Sequence, residues 1–309
     1  MKTKIAVTTT TFGEFDPLWE KKLEEYGIHA VVNQSGHKLS SDEIHGFVKG
    51  CSGIIAGTEQ YTSKVLRDLK GLKVISRCGT GLDNIDLETA ARQGVDIYNT
   101  PNAPVPAVAE LTVGLILDML RNICGSDKTL RAGLWNKQMG WLLSGKKVGI
   151  VGFGRIGRRV GALCGAFGCE VGYYDRVSFK DRSAFKSSTL DELLAWADIV
   201  TLHCPASKDR TPILGRKELF SMKKGSWLVN TARAELLDEI ALVEALRDGH
   251  LAGAAVDVFP HEPYSGLLLK SDKVVLTPHI GSYAREARAE MEKEAIENLI
   301  KGLQKVRCI

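Results

Sequence analysis

The chain has 309 residues and a mass of 33.7 kDa. At about 100–200 residues per domain this length predicts two domains, each able to bury a core without a metal or disulfide staple. Hydrophobic residues are 44 % and charged residues 25 % of the chain, which excludes disorder, collagen and coiled coil as whole-chain descriptions. The formal charge is +4, from 41 basic and 37 acidic side chains, and basic runs stop at pairs such as Lys146-Lys147; neither makes a nucleic-acid patch. No apolar stretch approaches the ~18 residues of a membrane span, and the candidate at 113–120 is interrupted by Asp118. Met1-Lys2-Thr3-Lys4 runs straight into the strand-like Ile5-Ala6-Val7, so no secretory leader is expected. Seven cysteines with no Cys-x-x-Cys pair read as reduced thiols of a cytoplasmic protein with no metal site.

In chain order, short β-rich runs alternate with helical patterns. Ile5-Ala6-Val7-Thr8 precedes a helix over 18–26, and Ala30-Val31-Val32 precedes a helix starting near Ser41. Gly53-Ile54-Ile55-Ala56 precedes a helix over 63–69, and Leu72 to Ser76 precedes a glycine loop and a helix over 87–93. Val95-Asp96-Ile97-Tyr98 closes this block. A long helical pattern over 105–123 follows, entered through Pro101, Pro104 and Pro106, where a missing N–H costs little. A second series starts at Lys147 to Val151 and continues through strands at 171–174, 199–202, 227–230, 254–256 and 274–276. The last helix, over 283–303, sets Ala287, Met291, Ala295, Leu299 and Leu303 on one face, N-capped by Ser282. The fold class is therefore α/β, with parallel doubly wound sheets.

Gly152-Phe153-Gly154-Arg155-Ile156-Gly157 is a G-x-G-x-x-G between an apolar strand and an apolar helix, with Asp175 ending the next strand. Gly152 permits the tight turn, Gly154 the approach of a pyrophosphate, and Gly157 close packing of helix on strand. Asp175 accepts from a ribose 2′-OH and repels a 2′-phosphate, which favours NAD over NADP, although Arg176 follows it. Arg233 stands past an apolar strand, where it suits a carboxylate. Glu262 sits between Pro260 and Pro263, and His279 lies between a strand end and a helix start. Imidazole is the side chain suited to moving a hydroxyl proton near neutral pH. Asp257 is placed to accept from a nicotinamide carboxamide.

The chain resembles the D-isomer-specific 2-hydroxyacid dehydrogenases, most of all their D-3-phosphoglycerate dehydrogenase branch, from about Gly53 to Leu303. The resemblance rests on six motifs. They are Ser76-Arg77-Cys78-Gly79-Thr80-Gly81-Leu82-Asp83-Asn84-Ile85-Asp86, Val108-Ala109-Glu110-Leu111-Thr112, the glycine loop, Asn230-Thr231-Ala232-Arg233, Asp257-Val258-Phe259 with Glu262-Pro263, and Thr277-Pro278-His279-Ile280-Gly281. It implies a flavodoxin-like substrate domain, 1–101 plus 284–309. Residues 102–283 would be an inserted Rossmann domain binding NAD, with a cleft that closes on substrate. A helical segment over 102–143 would form a homodimer contact. It further implies Arg233 on the substrate carboxylate and carbonyl, His279 as acid–base and Glu262 as its partner. Arg77 and the backbone N–H groups of Cys78, Gly79, Thr80 and Gly81 would hold the small 2-hydroxy or 2-keto acid. Thr80, Thr112, Gly152, Gly154, Arg155, Ile156, Gly157, Asp175, Cys204, Thr231, Ala232, Asp257, His279 and Gly281 would line the cofactor.

Three departures bear on this. Ala234 stands where the family has Gly, and its methyl group is expected to crowd the loop without abolishing activity. Gly57 stands where the phosphoglycerate branch often has Arg, which removes one expected phosphate ligand and speaks against 3-phosphoglycerate, but Arg77 remains to meet a second anionic group, so hydroxypyruvate, glyoxylate and phosphohydroxypyruvate all stay candidates. The chain ends at Ile309, so no regulatory domain is expected. The leading expectation is hydride exchange between NAD and C2 of a D-2-hydroxyacid. An NAD-sensing corepressor and phosphite or formate oxidation are the alternatives, with Glu262 speaking against formate.

Overall fold

A computed structural model describes residues 3–14, 18–177, 185–207 and 209–309. The chain forms two compact units. Unit 1 comprises Met1–Pro104 and Ser282–Ile309, and unit 2 comprises Val105–Gly281.

In unit 1 the strands are β1 (Thr3–Val7), β2 (Ile28–Val32), β3 (Gly53–Ala56), β4 (Val74–Arg77) and β5 (Asp96–Asn99). They pair in the order β2-β1-β3-β4-β5, all parallel. This is the flavodoxin-like order, whose winding reverses between β1 and β3. The connecting helices are α1 (Trp19–Glu24), α2 (Ser41–Phe47), α3 (Ser63–Asp68) and α4 (Leu87–Arg92). Short polar side chains start α2, α3 and α4: Ser40 and Glu43 form a reciprocal capping box, and Thr62 and Asp86 cap α3 and α4. One apolar layer holds Ile44, Leu66, Ile75 and Ala90. The other holds Ile5, Leu23, Ile55 and the last helix.

Unit 2 opens with α5 (Val105–Arg121) and α6 (Ile123–Arg131). The single helix expected over 105–123 ends at Arg121, because Asn122 takes a left-handed φ of 49°, a conformation asparagine tolerates better than most residues. The sheet is built from β6 (Lys147–Val151), β7 (Glu170–Tyr174), β8 (Lys186–Ser187), β9 (Ile199–Leu202), β10 (Ser226–Asn230), β11 (Leu251–Val256) and β12 (Val274–Leu276). Their order is β12-β11-β10-β9-β6-β7-β8, again parallel. Two residues long and exposed, β8 has no apolar pattern and so leaves no strand signal in the sequence. Helices α7 (Arg155–Ala166), α8 (Leu190–Trp196), α9 (Arg216–Ser221) and α10 (Glu239–Arg247) complete the winding. With α5, α7 packs its Val160 and Cys164 against β6, and α8 to α10 share a second apolar layer.

The chain returns to unit 1 through α11 (Arg285–Lys305). Its N-cap is Ala284, with no side-chain bond, so Ser282 does not cap it as expected. Burial holds the helix instead. Met291, Ala295, Leu299 and Leu303 lie in the core, and the Ser76 hydroxyl donates to the Ala295 carbonyl at 2.8 Å. Leu299→Ala should therefore cost about 2–5 kcal/mol of unfolding free energy in a urea titration. A loss of a few tenths would mean that α11 is not a core element of unit 1.

Candidate active site

In unit 2 the order of strands reverses between β6 and β9, and ligands of open α/β sheets bind in the crevice at such a point. The glycine loop leaves β6 there. Gly152 has a φ of 95°, and a Cβ on it would come within 2.5 Å of the Cys204 nitrogen and 2.6 Å of the His203 carbonyl carbon. Only glycine lets the loop pass the end of β9 so closely. A Cβ on Gly157 would collide with the Gly152 carbonyl, whereas one on Gly154 would meet nothing within 4 Å. The space beside Gly154 is open, as an approaching pyrophosphate requires. Gly154 is also the N-cap of α7 and supplies no capping side chain, so Arg155 and Ile156 begin a helix whose first N–H groups are left for an anion.

Asp175, just past β7, is fastened to this loop. Its Oδ2 accepts from the Phe153 N–H at 2.7 Å and its Oδ1 from the Val177 N–H at 2.9 Å. A carboxylate has about four acceptor sites, so two remain for ribose hydroxyls. Arg176 lines a neighbouring cavity with Ser207, Asp209, Thr211, Pro212 and Ile213. The residues present thus fit a dinucleotide in position and chemistry. Cys204 lies half-buried at the end of β9, and burial pushes its thiol up to about 11, which keeps it uncharged.

Past β10, the Asn230 side chain brackets the next turn. Its Oδ1 accepts from the Ala232 N–H at 3.0 Å and its Nδ2 donates to the Arg233 carbonyl at 2.8 Å. Arg233 then donates through Nη1 to the Ala232 carbonyl at 2.7 Å. Ala234 opens a short 3₁₀ turn, Ala234–Leu236, and is not among the residues with positive φ, so its methyl group fits the backbone without strain. Thr231 and Thr112 meet at 2.9 Å. The Thr112 hydroxyl donates to the Val108 carbonyl at 2.7 Å, so Thr231 is the donor between them.

Asp257 is fully buried at the end of β11. Its Oδ1 accepts from the Thr277 hydroxyl at 2.6 Å and the Ile280 N–H at 2.9 Å, and its Oδ2 from the Gly281 N–H at 2.9 Å. Burial pushes this carboxyl above its ordinary range, against the pull of those bonds. A Cβ on Gly281 would lie 3.2 Å from Oδ2, so glycine suits that place. Between these anchors His279 takes a φ of 54°, a conformation that costs about 1–3 kcal/mol and persists because its surroundings impose it. Its Nδ1 lies 2.8 Å from Glu262 Oε1. A carboxylate accepts only, so Nδ1 carries the hydrogen and the neutral ring keeps its lone pair on Nε2.

Unit 1 carries the remaining sequence-predicted residues, at the end of β4. The Arg77 guanidinium folds back over the following peptide. It bonds the Cys78 carbonyl and lies where a Cβ on Gly79 would be. Gly79 has a φ of 145°. The Cys78 N–H donates to the Ala56 carbonyl at 2.9 Å, and the Gly79 N–H to the Thr100 hydroxyl at 2.7 Å. Two of the four N–H groups expected to face a ligand are therefore already engaged, which leaves those of Thr80 and Gly81. The Thr80 carbonyl is held by Asn99 Nδ2 at 2.7 Å. Neither Thr100 nor Asn99 stands out in the sequence, since their part is to hold a loop about 20 residues away in the chain.

His203 is a further residue of the switch point. Its Nε2 lies 2.9 Å from the Thr201 hydroxyl, its Nδ1 is buried without a partner, and burial depresses its pKa to about 3. The folded state keeps this ring neutral while the unfolded chain protonates it below its ordinary value of 6.5. Stability is thus lost as pH falls from 6.5 towards 3. Urea titrations at pH 7 and pH 5 should show a smaller acid loss for His203→Gln than for the wild type; equal losses would contradict the assignment.

A family profile described as "D-isomer specific 2-hydroxyacid dehydrogenase, NAD binding domain" matches residues 113–281. The D-3-phosphoglycerate dehydrogenase of Sus scrofa is 37% identical over 297 residues, covering 93% of this chain and 55% of that protein. The chain spans about half the length of that relative. The glyoxylate reductase of Thermofilum pendens is 40% identical over 259 residues, covering 80% of this chain and 76% of that protein. Among solved structures, the TT0316 protein of Thermus thermophilus superposes with a TM-score of 0.90 at 38% identity, covering 98% of this chain and 97% of that one. With the NAD-binding profile lying on the unit that carries the glycine loop and the His279–Glu262 pair, the chain belongs to the D-isomer-specific 2-hydroxyacid dehydrogenases.

Proposed function

We propose that the protein is an NAD-dependent oxidoreductase acting on C2 of a small D-2-hydroxyacid or its 2-keto acid. The observation that carries this reading is the His279–Glu262 pair at 2.8 Å, in the same unit as a dinucleotide-type glycine loop. NAD, when bound, supplies the hydride acceptor or donor. His279 Nε2 removes the C2 hydroxyl proton in oxidation and returns it in reduction, while Glu262 holds the ring and balances its charge. Arg233 pairs with the substrate carboxylate and polarises the carbonyl. Arg77 and the N–H groups of Thr80 and Gly81 bind the carboxylate. Asp175 selects NAD by accepting from the ribose and repelling a 2′-phosphate.

His279→Ala should lower kcat for hydroxypyruvate or glyoxylate about 10²–10⁴-fold, read as NADH consumption at saturating keto acid. Near wild-type turnover would remove the mechanism. Tight NADH binding with no turnover of any keto acid would point to a sensor instead.

We further infer a homodimer formed through the segment 102–143, on the apolar side chains exposed along 123–142. Ile123, Leu130, Leu134, Trp141 and Leu142 are exposed, Trp135 is 80% exposed and Met139 97%, an apolar run that a second copy of the chain would cover. Light scattering should give about twice 33.7 kDa, and Trp135→Glu with Met139→Glu should halve it. A wild-type monomer would contradict the reading. Among the described residues no helix is long and apolar enough to cross a membrane, and none of the seven cysteines forms a disulfide. We place the protein in the cytoplasm on that thiol chemistry.

A further inference from the structure

Glu59 is a carboxylate with only 2% of its surface exposed, just past β3 in unit 1. The winding of that sheet reverses between β1 and β3, so the crevice at its carboxyl edge opens there. Glu59 bridges the two strand ends. Its Oε2 accepts from the Thr8 hydroxyl, past β1, at 2.8 Å and from the Gly57 N–H, past β3, at 3.0 Å. The Tyr61 hydroxyl lies 3.0 Å from Thr8 Oγ1. Because Thr8 has one hydrogen and gives it to the carboxylate, Tyr61 donates to Thr8. Asn84 Nδ2 then fixes the backbone by donating to the Gly57 carbonyl at 3.1 Å and the Glu59 carbonyl at 2.6 Å.

The donors that hold Glu59 are neutral. A glutamine would accept the same two bonds without the cost of burying a charge, so the charge itself calls for a use. The carboxylate also closes the space beside residue 57. A Cβ there would lie 2.9 Å and 3.1 Å from the two Glu59 oxygens and 3.1 Å from Thr9 Cγ2. Arg77 is next to this place, since its register partner on β3 is Ala56. The Glu59 carboxylate and the Arg77 guanidinium both act electrostatically on the Tyr61 hydroxyl, so the edge holds one negative and one positive charge, where a second phosphate or carboxylate would need positive charge alone.

We propose that Glu59 is a specificity-determining residue that turns the unit 1 edge away from 2-keto acids with a distal phosphate or carboxylate. It favours those whose distal group donates a hydrogen bond, such as a hydroxyl. This rests on the 2-keto acid reading above. A fixed carboxylate accepts from a hydroxyl and repels a second anion, and such like-charge contacts discriminate strongly.

The test compares kcat/KM for hydroxypyruvate and phosphohydroxypyruvate with NADH, in the wild type and in Glu59→Gln, with thermal midpoints as a check on folding. The wild type should favour hydroxypyruvate by more than about tenfold, and Glu59→Gln should narrow that ratio by about tenfold. A wild type that prefers the phosphorylated acid overturns the proposal whether or not the variant folds. So does a folded variant whose ratio is unchanged, while both acids are still reduced. If the wild type reduces glyoxylate but neither of these acids, the Glu59 proposal is overturned; if it reduces no 2-keto acid at all, the 2-keto acid reading fails, and the Glu59 proposal with it.

Discussion

Three donors converge on the Asp257 carboxylate, and the conformation of the segment that carries His279 depends on them. The Thr277 hydroxyl and the Ile280 and Gly281 N–H groups bracket His279 on both sides. Between them the backbone is held in a left-handed conformation that a β-strand end would not adopt unaided. Burial drives the Asp257 carboxyl towards its neutral form, and the three bonds oppose it. The cost of keeping this group at the base of the site is offset in position: the imidazole stands where Glu262 reaches its Nδ1 and Nε2 is left for chemistry.

The same logic recurs along the carboxyl edge of each sheet. Asp175 holds the glycine loop by the Phe153 N–H, Asn230 holds the turn before Arg233, and Thr100 holds Gly79. Each is a side chain at a strand end whose acceptor or donor fixes a neighbouring loop, so the groups that face ligands are mostly not the groups that build the site. Glu59, likewise held by neutral donors, ties the ends of β1 and β3 together and sets a charge at that edge.

Much of this was legible in the sequence. Alternating apolar runs marked the parallel strands because a strand buried on both faces leaves a nearly continuous apolar signature. The G-x-G-x-x-G and Asp175 were readable because steric demands at a phosphate turn leave few residue choices. What was not readable came from contacts distant in the chain. The break at Asn122 depends on one backbone angle, β8 is too short to show a period, and the start of α11 is set by packing in place of the Ser282 cap. The burial of Glu59 could not be foreseen either, since a charged residue in a Gly-Thr-Glu-Gln loop reads as solvated until β1 and β3 are seen to meet beside it.

Asp257 thus acts through His279. A double-mutant cycle tests it directly: kcat for hydroxypyruvate in the wild type, Asp257→Ala, His279→Ala and the double variant, each checked for fold and NADH binding. If Asp257 positions His279, its loss should approach that of His279→Ala, and the double variant should be little worse than either alone, because residues acting as a unit are strongly non-additive. Losses that simply multiply, or an Asp257→Ala enzyme close to wild type, would contradict the account.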